Sequence, residues 1–305
     1  TAYRSAFGKP KAVLGRQPDP FAGSELWVVP NPSGLNAHAT ITTLAEAYAE
    51  VARAAEDAGA TNLSVMDHYL QLGGRTGSAD QPMLEGYTTL GYLAAITSTV
   101  ELQLLVTGIT YRNVAHLGKI VATLDVLSSG RAICGLGLAW FKEEHLAYGW
   151  QFPTTAQRYA LLEDSLQLLP LLWGPGNPSF EGQVLSVPDT TCYPRPLQDR
   201  LPILVGGGGE RRTLRLAARY ADAANVFGDA TTVRRKAEVL RAHCLTVERD
   251  PAQVALTHLS TTLVGTDDRG IRCAQHVEDG GVRLLPGSIS PTHPTSTAEA
   301  TIEDS

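Results

Sequence analysis

Residues 202–227 read PILVGGGGERRTLRLAARYADAANVF. A short apolar run, Ile203–Val205, meets four consecutive glycines; apolar residues then recur at spacings of three and four over Arg212–Tyr220, and a second apolar run follows at Ala223–Phe227. The pattern is strand, turn, helix, strand, and short apolar strands joined through a helix form a βαβ unit with parallel strands. The same rhythm extends in both directions. Apolar runs lie at Leu26–Val29, Asn62–Met66, Leu102–Val106, Ala132–Leu136, Ala255–Val264 and Val282–Pro286. Helical spacing appears at Leu44–Ala58, Leu84–Thr97, Ala115–Leu127, Tyr159–Trp173, Val233–Val247 and Ile271–Val277, with a short last helix expected at Ala298–Ile302. Gly59 follows the first helix and Ser128-Ser129-Gly130 the third, as helix stops require. Eight strands alternating with eight helices predict an α/β fold, a (β/α)8 TIM barrel; a doubly wound sheet usually has five or six strands.

Residues 1–24, with Pro10, Gly15, Pro18 and Pro20, read as an irregular N-terminal arm, and 25–305 as a single barrel domain. The long stretch Gly149–Pro202 holds one helix and a Pro/Gly-rich segment from Gly174 to Pro202, which predicts an insertion or lid between strands 4 and 5.

With 43% hydrophobic residues and a formal charge of −6 over 305 residues, the chain is a folded protein rather than a disordered one. Its acidic balance argues against a nucleic-acid partner. No apolar run approaches the ~18 residues of a membrane helix, and the first thirty residues lack a signal-peptide pattern. A cytoplasmic protein is expected, acting on a small-molecule substrate without a membrane partner. The four cysteines (134, 192, 244, 273) are far apart and read as buried small hydrophobes, neither disulfide framework nor metal site.

A barrel carries its active site at the carboxyl ends of its strands. The residues there are Asp67-His68-Tyr69, the stretch Thr107 to Asn113, Gly137 to His145, and Gly206–Gly209 leading into Glu210-Arg211-Arg212. The glycine run before a helix offers bare amides and a helix dipole to a phosphate, although a tight turn would need glycine as well. Asp67-His68 reads as a base with its orienter, as a pair gripping a ring, or as a satisfied structural pair. Glu143-Glu144-His145 lacks the i, i+4 spacing of a helical metal pair, so no metal is expected; one of the three faces the pocket and the others begin a solvated helix. No serine sits in a GxSxG elbow. Trp140 and Phe141 wall a ligand or cap the mouth.

The segments VMDHYLQ (65–71), LEGYTTLGYLAAITSTVELQLLVTGITYRN (84–113), ATLDVLSSGRAICGLGLAWFKEEH (122–145) and PILVGGGGERRTLRLAARYADAANVF (202–227) resemble the luciferase-like superfamily, and within it the coenzyme F420-dependent oxidoreductases. The resemblance runs from about residue 25 to 265. It implies a TIM barrel, usually dimeric, with a deazaflavin or a flavin across the barrel mouth: coenzyme F420, or FMN in relatives that use reduced flavin and oxygen. Carried over, Asp67 and His68 face cofactor and substrate, with His68 the leading acid/base group and Glu143 the second. Leu105, Val106 and Thr107 form a bulge, often with a non-prolyl cis peptide, against the ring. Gly206, Gly207, Gly208 and Gly209 hold the phosphate, Arg158 and Tyr159 assist it, and Ala139 joins the cofactor-binding set. The implied reaction is hydride transfer between F420 and a small organic substrate, by C=C or C=N reduction or alcohol oxidation. The alternatives are an FMN-dependent monooxygenase and a non-catalytic ligand-binding barrel.

The chain departs from the pattern in places. Trp140 stands where sugar-phosphate dehydrogenases of this kind carry a glutamate proton donor, and only five of 25 basic residues are Lys, which argues against a sugar-phosphate substrate. Val114 replaces the usual Pro, and the strand-1 region and the chain after Val264 diverge.

Overall fold

Six of the expected strands pair edge to edge in chain order. The computed structural model describes residues 15–16, 27–28, 41–72, 78–259, 261–264 and 297–300. Strand β1 is Gly15–Arg16 and β2 Trp27–Val28, followed by α1 Ile41–Asp57 and β3 Asn62–Val65. Then come α2 Gly86–Ile96, β4 Glu101–Leu104, β5 Thr107–Gly108, α3 Val114–Leu127 and β6 Cys134–Gly137. Helices α4 Lys142–Ala147 and α5 Thr155–Trp173 precede a hairpin of β7 Phe180–Glu181 and β8 Ser186–Val187. The chain continues through β9 Ile203–Gly206, α6 Thr213–Tyr220, β10 Ala223–Val226, α7 Ala230–Thr246, β11 Ala255–His258, β12 Thr261–Val264 and β13 Thr297–Ala300.

β3 pairs parallel with β4, Asn62 opposite Glu101. The Leu102 amide donates to Arg131 O and its carbonyl accepts from Ile133 N, joining β4 to the stretch that runs into β6. β5 and β6, β6 and β9, β9 and β10, and β10 and β11 are likewise parallel. Spatial order therefore follows chain order with no reversal, as in a TIM barrel; a doubly wound sheet reverses at a switch point. All six carboxyl ends share one rim.

The core is aliphatic: Leu102, Leu104, Leu136, Val205, Ala224 and Val226 on the strands are fully buried against Leu90, Val121, Leu169, Leu214 and Ala217 on the helices. Gly135 belongs to this packing, because a Cβ there would lie 2.1 Å from the carbonyl oxygen of Leu104. Cys134, Cys192 and Cys244 are buried free thiols, as expected. No helix among the described residues is long and apolar enough to cross a membrane.

Several expectations change. Part of the N-terminal arm is not irregular, since β1 pairs antiparallel with β2. The run Ala255–Val264 is two strands, and only β11 joins the parallel sheet. The helix expected at Ala298–Ile302 is instead β13, paired antiparallel with β12; ladder bonds to the β-branched Thr261, Thr262 and Val264 override the helix propensity of two alanines. Candidates Ile271–Val277 and Val282–Pro286 lie outside the described residues.

The expected lid is placed elsewhere. Segment 174–202 carries the β7–β8 hairpin, whose tip amides at Gln183, Val184 and Leu185 donate to the buried Asp164 carboxylate of α5 at 2.8–3.0 Å. Further on, Leu197 N and the Gln198 side chain donate to buried Asp125 of α3, and Gln198 also bonds Ala132 O, at the amino end of β6. Two buried carboxylates thus strap the segment along the helices to the amino ends of the strands, away from the rim where a lid would close.

Glu56 at the end of α1 performs a similar task. It accepts from Ser98 N, Thr99 N, Thr99 Oγ1 and Val100 N, joining α1 to the turn before β4. The Thr99 and Ser98 amides lead in holding its carboxyl down to about 2. A depressed carboxyl stabilises the fold above its unfolded value of about 4.3, and that contribution disappears as pH falls through the folded value. Glu56→Gln is expected to melt below wild type at pH 7. Melting curves from pH 7 to pH 2 check this: the difference narrows steadily below about pH 4.3.

Candidate functional site

The loop after β3 sends two adjacent polar residues to different partners. Asp67, 3% exposed, receives both guanidinium nitrogens of Arg112 at 2.7 and 2.8 Å and the Gly108 amide at 2.9 Å. Arg112 also bonds Glu85 and lies over the rings of Tyr69 and Tyr87. Burial works against the Arg112 charge, but its bonds to Asp67 outweigh that and raise it. The Asp67 carboxylate thus fastens β5 through Arg112 and the Gly108 amide, and it makes no bond to His68 among the described contacts.

His68 turns instead to Glu144. Its Nδ1 lies 3.0 Å from Glu144 Oε2, and its side chain is 13% exposed. Glu144, fully buried on α4, accepts further from Tyr69 N at 2.5 Å, Leu70 N at 2.7 Å and Tyr111 Oη at 2.5 Å. Burial alone would raise the carboxyl; the bonds from His68, Tyr111 and the two amides outweigh it and hold it below the usual range. Burial and this carboxylate push the Tyr111 phenol upward, so it stays a donor. With Glu144 ionised, Nδ1 carries the hydrogen, and Nε2 has no hydrogen-bond partner among the described residues.

Glu143, the second acid/base candidate, lies exposed on α4, and its neighbour Glu144 takes the buried position beside His68. His145 is buried and satisfied, Nδ1 to Phe141 O and Nε2 to Thr110 Oγ1. Sequence reasoning also left Tyr111, Thr213 and Lys236 without a role. A bulky aromatic one residue from Arg112 was the available signal for Tyr111; for the others there was none.

Leu105–Val106 is a non-prolyl cis peptide, at the bulge between β4 and β5. The Val106 isopropyl covers two strand-end glycines: a Cβ on Gly137 would come within 2.5 Å of it, and one on Gly206 within 2.7 Å. Half-buried Val106 thus presents an apolar face over the rim. Thr107 is fully buried and bonds Tyr87 Oη at 2.7 Å, so its hydroxyl is spent in the core. Ala139, at φ 57°, gives its carbonyl to Arg158 Nη1.

At the other side of the rim, Gly207 has φ 128° and donates to Asn225 O. The amides of Gly208 and Gly209 meet no acceptor among the described residues. Arg212 precedes α6 without a side-chain cap, whereas Glu85, Asn113, Thr154 and Asp229 cap α2, α3, α5 and α7. Lys236 donates to Gly208 O at 2.7 Å, and the hydroxyls of Tyr159 and Thr213 bond each other at 2.9 Å beside Gly209. Arg158 Nε is shielded from solvent without a partner. Bare amides, an uncapped helix start and a cation at one end, with an apolar face at the other, fit a planar ring bearing a phosphorylated chain.

A model of the luciferase-like monooxygenase family matches residues 26–276. The chain is 35% identical over 175 residues to the F420-dependent glucose-6-phosphate dehydrogenase of Kineococcus radiotolerans, covering 57% of this chain and 50% of that protein. It is 33% identical over 149 residues to the pyrimidine monooxygenase RutA of Pseudomonas syringae, covering 48% and 40%. The chain spans about half the length of the curated relatives it matches. A solved F420-dependent secondary alcohol dehydrogenase, in complex with an F420-acetone adduct, shares the fold at a TM-score of 0.63, with 20% identity over 70% of this chain and 64% of that one.

Proposed function

The chain belongs to the luciferase-like monooxygenase family, and from that premise we propose that it is an oxidoreductase transferring a hydride between coenzyme F420 and a small organic substrate. The observation that carries the reading is the His68–Glu144 pair at the strand-end rim: a histidine whose Nδ1 is held by a buried carboxylate, with Nε2 unpartnered among the described residues. The F420-dependent relative supports the choice of cofactor.

Val106 would support one face of the ring, and the amides of Gly208 and Gly209, with Lys236 and Arg158, would hold the phosphate. Bound there, the deazaflavin supplies or accepts the hydride. The protein manages the proton. In alcohol oxidation, His68 Nε2 takes the hydroxyl proton as the carbon loses hydride; in reduction, protonated His68 returns a proton to the substrate. Glu144 stabilises the imidazolium in both directions.

A second reading, an FMN-dependent monooxygenase, draws support from the likeness to RutA. The same loop would take the FMN phosphate. Anaerobic incubation of the protein and F420 with a panel of secondary alcohols, and of reduced F420 with conjugated ketones and imines, separates the two. Hydride transfer predicts loss or return of the deazaflavin absorbance with no oxygen uptake in aerobic controls. Oxygen consumption dependent on reduced FMN would overturn it.

The phosphate loop carries its own prediction. A Cβ at Gly208 meets only the mobile end of Lys236, at 2.4 Å from Nζ, so the fold tolerates a side chain there while the anion site narrows. Gly208→Val is expected to weaken F420 or FMN at least about tenfold and riboflavin less than about twofold. Fluorescence titration of the three checks it, and equal losses would refute the assignment.

A further inference from the structure

We infer that Trp140 sets the substrate class of this site, and that the class is uncharged, planar carbonyl compounds and their alcohols rather than phosphorylated sugars; the inference rests on the hydride-transfer reading above. Trp140 is 59% exposed, on the segment joining β6 to α4. Its ring lies edge-on to His68, with centroids 5.7 Å apart at 73°. Phe141 sits 5.9 Å from His68 at 74° and 5.3 Å from Trp140, inclined to it by 34°. The two aromatics therefore flank His68, whose Nε2 has no hydrogen-bond partner among the described residues.

The segment is held from both sides. Arg158 bonds the carbonyls of Leu138 and Ala139 before Trp140, and His145 Nδ1 bonds the carbonyl of Phe141 after it. A large ring displayed to water on anchored backbone is a stacking platform for a flat ligand, which would recover apolar contact and place its oxygen toward Nε2.

Among the described residues, charge argues against the alternative. Arg112 is committed to Asp67 and Glu85. Among the described contacts of His68, Trp140 and Phe141 there is no Lys or Arg, while the carboxylate of Glu144 lies directly behind His68. A sugar phosphate stacked on this platform would find no cationic partner for its dianion among the described contacts of Trp140 and Phe141. The Kineococcus relative is a glucose-6-phosphate dehydrogenase; this site takes a different substrate.

The test uses the protein loaded with reduced F420 for acetophenone, a hydride acceptor, and with oxidised F420 for glucose 6-phosphate, a hydride donor, with binding read by calorimetry and turnover by deazaflavin absorbance. Wild type is expected to bind acetophenone and to show no heat with glucose 6-phosphate at about 10 mM. Trp140→Ala is expected to raise the Kd and KM of acetophenone at least about tenfold with kcat changed less than about threefold, and Trp140→Tyr to restore both to within about threefold. The Kd of F420 should stay within about twofold in both variants. Glucose 6-phosphate binding as tightly as acetophenone, no acetophenone binding to wild type, or unchanged acetophenone binding in Trp140→Ala would each overturn the inference. Failure of the hydride-transfer reading shows separately, as absence of F420 binding in the same samples.

Discussion

His68→Ala is expected to lower kcat by about a hundred- to ten-thousand-fold, the range that a positioned acid/base group contributes. The reason is geometric. Nδ1 is engaged by Glu144 and Nε2 has no partner among the described residues, so the imidazole beside the platform keeps a nitrogen with which to exchange a proton. Removing it leaves the cofactor-holding parts intact: Val106, the Gly208 and Gly209 amides and Lys236 make no described contact with His68. Cofactor affinity should stay within about tenfold, which separates a proton-handling role from a ring-gripping one. Steady-state kinetics with a fluorescence titration of the same variant checks both halves. Loss of cofactor binding with turnover of bound enzyme unchanged would assign His68 to the ring instead.

The largest stability effect is expected at Glu144. Its carboxylate accepts from His68, Tyr111 and the amides of Tyr69 and Leu70 while wholly excluded from solvent. Deleting one partner of a buried charged network costs about 3–5 kcal/mol, because the remaining donors lose their acceptor. Glu144→Ala should lose stability in that range in urea unfolding at pH 7, and lose turnover as well, since His68 is then unoriented. Glu144→Gln keeps the volume but places an amide donor among donors, so it should fall between. The depressed carboxyl has a pH signature: its stabilising contribution is present above about 4.3 and is lost as pH falls through the lower folded value, so wild type and Glu144→Gln should converge below about pH 4. A loss of under about 1 kcal/mol at pH 7 would show that water replaces the carboxylate cheaply, against the burial observed.

What could be read from residues alone follows from the physics of each element. Ile203–Val205, the glycines and Ala223–Phe227 announce a βαβ unit because buried parallel strands are short apolar runs and a strand end meeting a helix start needs bare backbone. Asp67 and His68 were legible as a polar pair at a strand end, but not as residues with separate partners: one turns toward Arg112 and the other toward Glu144, 45 and 76 residues along the chain. Glu144 was hidden among Lys142, Glu143 and His145 because α4 is six residues long, too short for periodicity to say which carboxylate turns inward. The strap at 174–202 was visible as an insertion, but its course depends on Asp164 and Asp125, which lie 19 to 73 residues from the groups they bind. β13 depends on pairing with β12 across more than thirty residues, which local propensity does not register.

The central claim is that the rim holds a deazaflavin for hydride transfer, and side-by-side fluorescence titration of the purified protein with F420 and FMN tests it most directly. The account predicts F420 binding at a Kd of about 1 μM or below, with FMN at least about tenfold weaker. Preference for FMN, or binding of neither, would contradict it: the first would make the chain an oxygen-using monooxygenase, and the second a barrel that keeps the rim without its chemistry.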